Sequence, residues 1–241
     1  MVNHKTDAAG QESDSGGPES IWAPPSASLA SRRPALRSRG SFRGTLVNPR
    51  TRREIVIESN LERDLACIVM AHHPKTDLRD QPDPVEYVDA DGVVREHTFD
   101  FVAILEDGTR TAIAVKPASK VGSSGIESTL DLIRAQVPAF ADRFEVRTGN
   151  HITRDRAHNA RLILRALRTR NANDVAAVMA IASTLRGSVR IGALLAASRN
   201  DGHGFMAVAC LIGDGVLEHV GPGRISHASL VRPARTANHP R

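Results

Sequence analysis

Aromatic side chains are scarce: 3% of the 241 residues, with one Trp, one Tyr and six Phe. A surface that stacks successive bases needs several such rings, so a single-strand-binding platform is not expected. Cysteine is nearly absent. Cys67 and Cys210 each sit inside an apolar helical pattern, and two lone thiols read as small buried hydrophobes in a reducing compartment rather than a disulfide or a zinc site. No apolar run approaches the roughly 18 residues of a membrane span. The opening stretch "MVNHKTDAAGQESDSGGPES" lacks the apolar core of a signal peptide. A Cys–His dyad, a G-x-S-x-G turn and a Walker phosphate loop are all missing. The expectation is a soluble, cytoplasmic protein with no membrane association and no organic cofactor.

What is present is a core and an excess of base. Hydrophobic residues make up 41% of the chain, enough for one or two domains, and the formal net charge is +5. That balance favours a polyanionic partner. Residues 1–44 are rich in Ser, Gly, Pro and Ala without either period, which predicts a disordered arm. Between Arg32 and Arg53 lie eight arginines and no acid. Five of them, Arg32, Arg33, Arg37, Arg39 and Arg43, fall in the arm, where they can neutralise backbone phosphates of double-stranded DNA without reading sequence. A solvated, solubilising tail is the alternative.

Residues 45–168 carry an α/β pattern. In "ESNLERDLACIVMAHH", Leu61, Leu65, Ile68 and Val69 recur at helical spacing. Continued at 100° per residue, Glu58 projects into that apolar stripe and Glu62 lies at its edge. Asp91-Gly92 and Asp107-Gly108 are hairpin signals between alternating runs, predicting a three-stranded antiparallel meander. A helix follows through Ile126, Leu130, Ile133 and Val137, ending near Pro138, then a short strand in "RFEVRTG" and a helix in "DRAHNARLILRALR". The predicted core is therefore helix, three strands, helix, strand, helix. Residues 171–234 change character to three short helical patterns and a hairpin about Gly221-Pro222-Gly223. They read either as a winged-helix-like domain or as an Ala-rich helical cap, with 235–241 a tail.

Two charges stand where strands normally place packing residues, Asp100 in "HTFDFVAIL" and Lys116 in "RTAIAVK". A three-residue loop Glu106–Gly108 pairs Asp100 with Ala114 and puts Lys116 on the same face. A two-residue Asp107-Gly108 loop pairs Asp100 with Val115 and puts Lys116 on the other. A structural ion pair at a sheet end accounts for the two charges on geometry alone.

Taken together, Glu58-Ser59 and Leu61-Glu62-Arg63-Asp64, Gln81-Pro82, Asp91-Gly92, Phe99-Asp100-Phe101, Asp107-Gly108, Val115-Lys116-Pro117, Val146-Arg147-Thr148 and Asn159-Ala160 resemble, in order and spacing, the TnsA-type transposon endonucleases of the PD-(D/E)XK superfamily. The likeness covers roughly residues 40 to 167. It implies a restriction-endonuclease-like core and a Mg2+-dependent (or Mn2+-dependent) DNA endonuclease in a transposition or mobile-element system, with a transposase subunit as partner. It implies Glu58, Asp100 and the Val115 backbone carbonyl as metal ligands. Lys116 would hold or deprotonate the attacking water, and Glu58, Asp100 and Lys116 form the catalytic set. The resemblance also leads us to expect Asp100 and Lys116 on one face with the Glu58 carboxylate directed toward them.

One departure bears on activity. The family carries Glu or Gln two residues before the lysine, and here that position is Ala114; Phe99 also replaces the family's proline. A methyl group cannot ligate a metal, so a catalytically degenerate DNA-binding or assembly protein is the alternative reading. Weaker candidates are His72-His73 at a helix end, Ser123-Ser124-Gly125 near Lys120, and the "GHGF" turn with Gly202 and Gly204.

Overall fold

The computed structural model describes residues 23–31, 42–198 and 204–234, which form a mixed α/β fold of four small sheets and seven helices. The first described segment corrects the expectation of a disordered arm through residue 44. Ser26 bridges Arg53 in parallel, its N–H donating to the Arg52 carbonyl and its carbonyl accepting from the Glu54 N–H, both at 2.9 Å. Strands β1 (Gly44–Val47) and β2 (Glu54–Ile57) then pair as an antiparallel hairpin not foreseen from sequence. The alternation of β2 buries Ile55 and Ile57.

Helix α1 (Asn60–His72) begins at Ser59, whose hydroxyl accepts the Glu62 N–H at 3.1 Å, and it buries Leu65, Ala66, Ile68 and Met70. Strand β3 (Asp77–Asp80) was hidden in the sequence, because Leu78 is its one apolar residue. Strands β4 (Val85–Val88) and β5 (Val94–His97) make a separate two-stranded sheet across the Asp91-Gly92 turn, with Gly92 at φ 75°. Strands β6 (Phe101–Ile104) and β7 (Arg110–Val115) form a further hairpin, and β8 (Arg143–Arg147) lies parallel to β7.

The predicted meander is thus two hairpins in two sheets. The apolar run breaks at Thr98–Asp100, where Phe99 turns fully into the core and stacks on Phe140 at 5.3 Å between ring centroids. The larger sheet has the order β3-β6-β7-β8.

Between β7 and β8 run α2 (Val121–Ser124) and α3 (Ile126–Gln136), which stops before Pro138; α4 (Arg154–Arg168) follows β8. The sheet's two faces are distinct. Phe101, Ala103, Ile113 and Val115 share a core with α1 and α4, while Val102, Ala112 and Ala114 pack with Ile126, Leu130 and Ile133 of α3. The sheet is therefore a middle layer between helices.

The C-terminal unit comprises α5 (Ala172–Ala182), β9 (Val189–Arg190), α6 (Ile191–Ser198), α7 (Gly204–Gly213), β10 (Leu217–Val220) and β11 (Leu230–Pro233). Its strands make a three-stranded antiparallel sheet in the order β10-β11-β9. It has no core of its own: residues of α5, α6 and α7 continue the cluster of α1 and α4. A Cβ at Gly213 would come within 2.7 Å of Ile163 Cγ2, so α7 meets α4 at a distance only glycine allows.

Asn159 joins the two units by donating to the Gly223 carbonyl (2.9 Å) and accepting from the Ile225 N–H (2.8 Å). Asn159→Ala strips both partners from a site 8% exposed, and the expected loss is about 2 kcal/mol in urea unfolding. An unchanged midpoint and slope would show that the hairpin is held by packing alone.

Candidate active site

The sheet end where β6 begins and β7 ends is built around a local irregularity. Phe101 pairs with Ile113, and Leu105 closes the hairpin on Thr109 around Gly108 at φ 85°. The three-residue loop is thus the one present. At Asp100 the ladder slips: its N–H also donates to the Ile113 carbonyl at 3.1 Å, so two residues of one strand face one of the next. This corrects the expected pairing of Asp100 with Ala114. The Asp100 carbonyl accepts the Gln81 N–H at 3.0 Å, and its carboxylate Oδ2 accepts the Val115 N–H at 2.6 Å.

Burial pushes the Asp100 carboxyl up to about 6. The Val115 hydrogen bond opposes the shift, Glu62 adds to it, Lys116 opposes it and Glu58 adds a smaller push. Two further acids and one base therefore act on Asp100. Glu58 is not on the helix, as the periodicity implied, but one residue before the Ser59 cap, between β2 and α1. Its N–H donates to Glu62 Oε2 at 2.8 Å. Glu62, 7% exposed, is the helical acid and acts more strongly on Asp100 than Glu58 does. The signal for it was present: Ser59 followed three residues later by Glu62 is a capping-box spacing, which fixes the start of a helix.

Lys116 extends β7 by one residue, its N–H donating to the Arg147 carbonyl at 3.0 Å. It is half-buried and makes no ion pair among the described residues. Strand alternation places it with Ala112 and Ala114, on the α3 side, whereas Glu62 belongs to α1 on the other side. The Lys116 charge nonetheless acts on Asp100 at the sheet's end.

His97, whose ring meets Phe99 edge-on at 4.7 Å, is held neutral, its pKa lowered to about 4 by burial and then by the Lys116 charge. Ala114, at 1% exposure, is packed under α3.

Some polar atoms near Asp100 are buried without a hydrogen-bond partner among the described residues: Asp80 Oδ1, Gln81 Oε1 and His97 Nε2. Asp80 is fully buried, its Oδ2 accepting from the Ser28 hydroxyl and the Val56 N–H, each at 2.6 Å. Sequence reasoning passed over Asp80 and His97 because nothing local marks an unpaired buried atom.

The remaining candidates fall elsewhere. Arg43 is half-buried just before β1, and Arg32, Arg33, Arg37 and Arg39 lie outside the described residues, as do Gly202 and His203. Gly204 opens α7. His72 and His73 close α1 at its far end from Glu62, and the His72 pKa is lowered, by burial first. The Ser123 and Ser124 hydroxyls donate to the carbonyls of Lys120 and Val121. Cys67 and Cys210 are buried free thiols. No helix among the described residues is long and apolar enough to cross a membrane.

Among the described residues no three His, Cys, Asp or Glu side chains converge as a metal-binding group. Mg2+ does not require one, since it commonly takes one or two carboxylates and keeps waters and substrate phosphates. Asp100 and Glu62 offer carboxylates and Val115 a carbonyl, and the acids around Asp100 outnumber Lys116. A divalent cation would relieve that imbalance. No family model matches the chain, and no curated protein is significantly similar to it.

Proposed function

We propose that this chain is a metal-dependent DNA endonuclease with a restriction-endonuclease-like core, acting in a transposition or mobile-element system. The observation that carries the reading is Asp100: a buried carboxylate, raised to about 6, beside Glu62 and Glu58 with Lys116 on the adjoining strand. A buried carboxyl raised in this way by desolvation and by neighbouring acids is the kind of group that clusters at functional sites. The order α1, β6-β7 hairpin, α3, parallel β8, α4 agrees with that core.

Asp100 and Glu62, with Glu58 and the Val115 carbonyl, would hold Mg2+. The bound ion would lower the pKa of an attacking water and neutralise charge on the scissile phosphate. The chain's own residues set the geometry. The Val115 N–H fixes one Asp100 oxygen, which leaves the other for the cation. The Lys116 ammonium, without an ion pair among the described residues, would be available to donate to a phosphate oxygen or to hold the attacking water through its oxygen. The arginine-rich stretch supplies backbone contacts to double-stranded DNA, and a transposase subunit is the protein partner this reading implies.

The decisive experiment is plasmid nicking by the full chain with Mg2+ or Mn2+, against Asp100→Ala. Metal-dependent nicking that disappears in the variant is the expected result; nicking that survives rejects this site. Ala114 and the lack of a three-ligand cluster among the described residues favour a second reading, a DNA-binding or assembly protein that keeps the fold without cutting. Intact DNA binding without nicking in the wild type selects it.

A further inference from the structure

Gln81 is 2% exposed, yet its side-chain Oε1 has no hydrogen-bond partner among the described residues. Buried amides are almost always paired, so an unpaired one calls for a ligand or a cost. Its backbone is also unusual. Gln81 adopts φ 38°, in the left-handed region, although it is not glycine and precedes Pro82, which restricts it further. Both main-chain groups are held: the N–H donates to the Asp100 carbonyl at 3.0 Å and the carbonyl accepts the Ser31 N–H at 2.9 Å. The backbone is thus pinned from two sides in a strained conformation, directly across the sheet from Asp100. Strain maintained in this way is concentrated at functional sites.

The neighbouring chemistry names the ligand. Around Asp100 gather Glu62 and Glu58, an excess of acid that favours a cation. Position 114, from which the resemblance leads us to expect an oxygen donor, carries a buried methyl group on the α3 side. A neutral amide oxygen is a hard donor suited to a divalent cation, and it adds a ligand without another repelling charge. We infer that Gln81 Oε1 is an oxygen ligand for a divalent cation held at Asp100, supplying the donor that Ala114 cannot. This inference rests on the metal-dependent reading of the site.

The test is Mn2+ binding to the full chain by calorimetry, in the wild type, Asp100→Asn, Gln81→Leu and Gln81→Glu, with folding checked by circular dichroism. The expected result is Mn2+ binding that Asp100→Asn abolishes and that Gln81→Leu weakens by about tenfold or more. Gln81→Glu keeps an oxygen at the same reach and is expected to bind at least as tightly as the wild type. Should Gln81→Leu not fold, Gln81→Glu decides, and weaker binding by that variant overturns the inference. A folded Gln81→Leu that binds like the wild type, while Asp100→Asn does not bind, overturns the Gln81 role and leaves the metal site standing. A wild type that binds no Mn2+ overturns both.

Discussion

Asp100→Asn is expected to make the protein more stable at neutral pH while removing metal-dependent nicking. Asp100 is raised from 3.8 to about 6 in the folded state. Between those values the folded chain keeps a proton that the unfolded chain has released, so stability falls as pH rises through this window. Above it the full cost of an ionised, buried carboxylate is present, about 3 kcal/mol at roughly 1.4 kcal/mol per pKa unit. Asn removes the charge and keeps an acceptor for the Val115 N–H. The melting temperature should rise by roughly 6–12 °C at pH 7.5 and hardly change at pH 4. Mg2+ should stabilise the wild type and leave the variant unmoved. Nicking should fall by at least about a hundredfold, because the principal carboxylate for the metal is gone. A variant no more stable than the wild type at pH 7.5 would mean that Asp100 is already compensated by a partner in the protein.

The opposite outcome is expected for Ala114→Glu. From sequence, an acid at this position restores a missing ligand and raises cleavage. The structure gives it a different setting. Ala114 is 1% exposed and shares its cluster with Phe99, Ala112, Ile126, Leu130 and Ile133. A glutamate there needs space that the apolar layer under α3 does not provide, and its charge would be buried among apolar side chains. Overpacking and a buried carboxylate together predict a loss of roughly 3–5 kcal/mol, read as a large drop in the urea midpoint. Ala114→Gln, neutral but equally large, separates the two causes: size alone should account for about 1–3 kcal/mol. Increased nicking by a stably folded Ala114→Glu would reverse this reading and return the position to the metal site.

What the sequence made legible follows from what is local. Gly108 marks the β6-β7 turn, though not which of two registers it closes; Pro138 marks the end of α3; the Leu65 and Ile68 stripe marks α1. These are short-range rules. Strand β3 escaped because three of its four residues are charged and its place depends on β6 for hydrogen bonds and on Arg53 for an ion pair with Asp77. Periodicity alone runs the α1 stripe back to Glu58, because it cannot tell where a helix starts; the Ser59 cap does. Asp100 and Lys116 were found from their charge in apolar runs. The pairing at Asp100 depended on a slip of one residue in a ladder, which no pattern of residue types records.

The serines that precede the arginine-rich stretch change where this protein can be cut into a working fragment. Ser26 completes main-chain pairing with Arg52 and Glu54, Ser28 holds the buried Asp80 carboxylate, and Ser31 holds Gln81 from behind. A fragment starting at residue 45 would lose all three, and the buried Asp80 carboxyl would be left with one fewer hydrogen-bond donor. Such a fragment would be impaired at the acid site before the question of arginines arose, and a loss of DNA binding in it would confound two causes. Replacing Arg32, Arg33, Arg37 and Arg39 in the full chain removes the charge and keeps the strut. Truncation from the N-terminal side should therefore stop at residue 22.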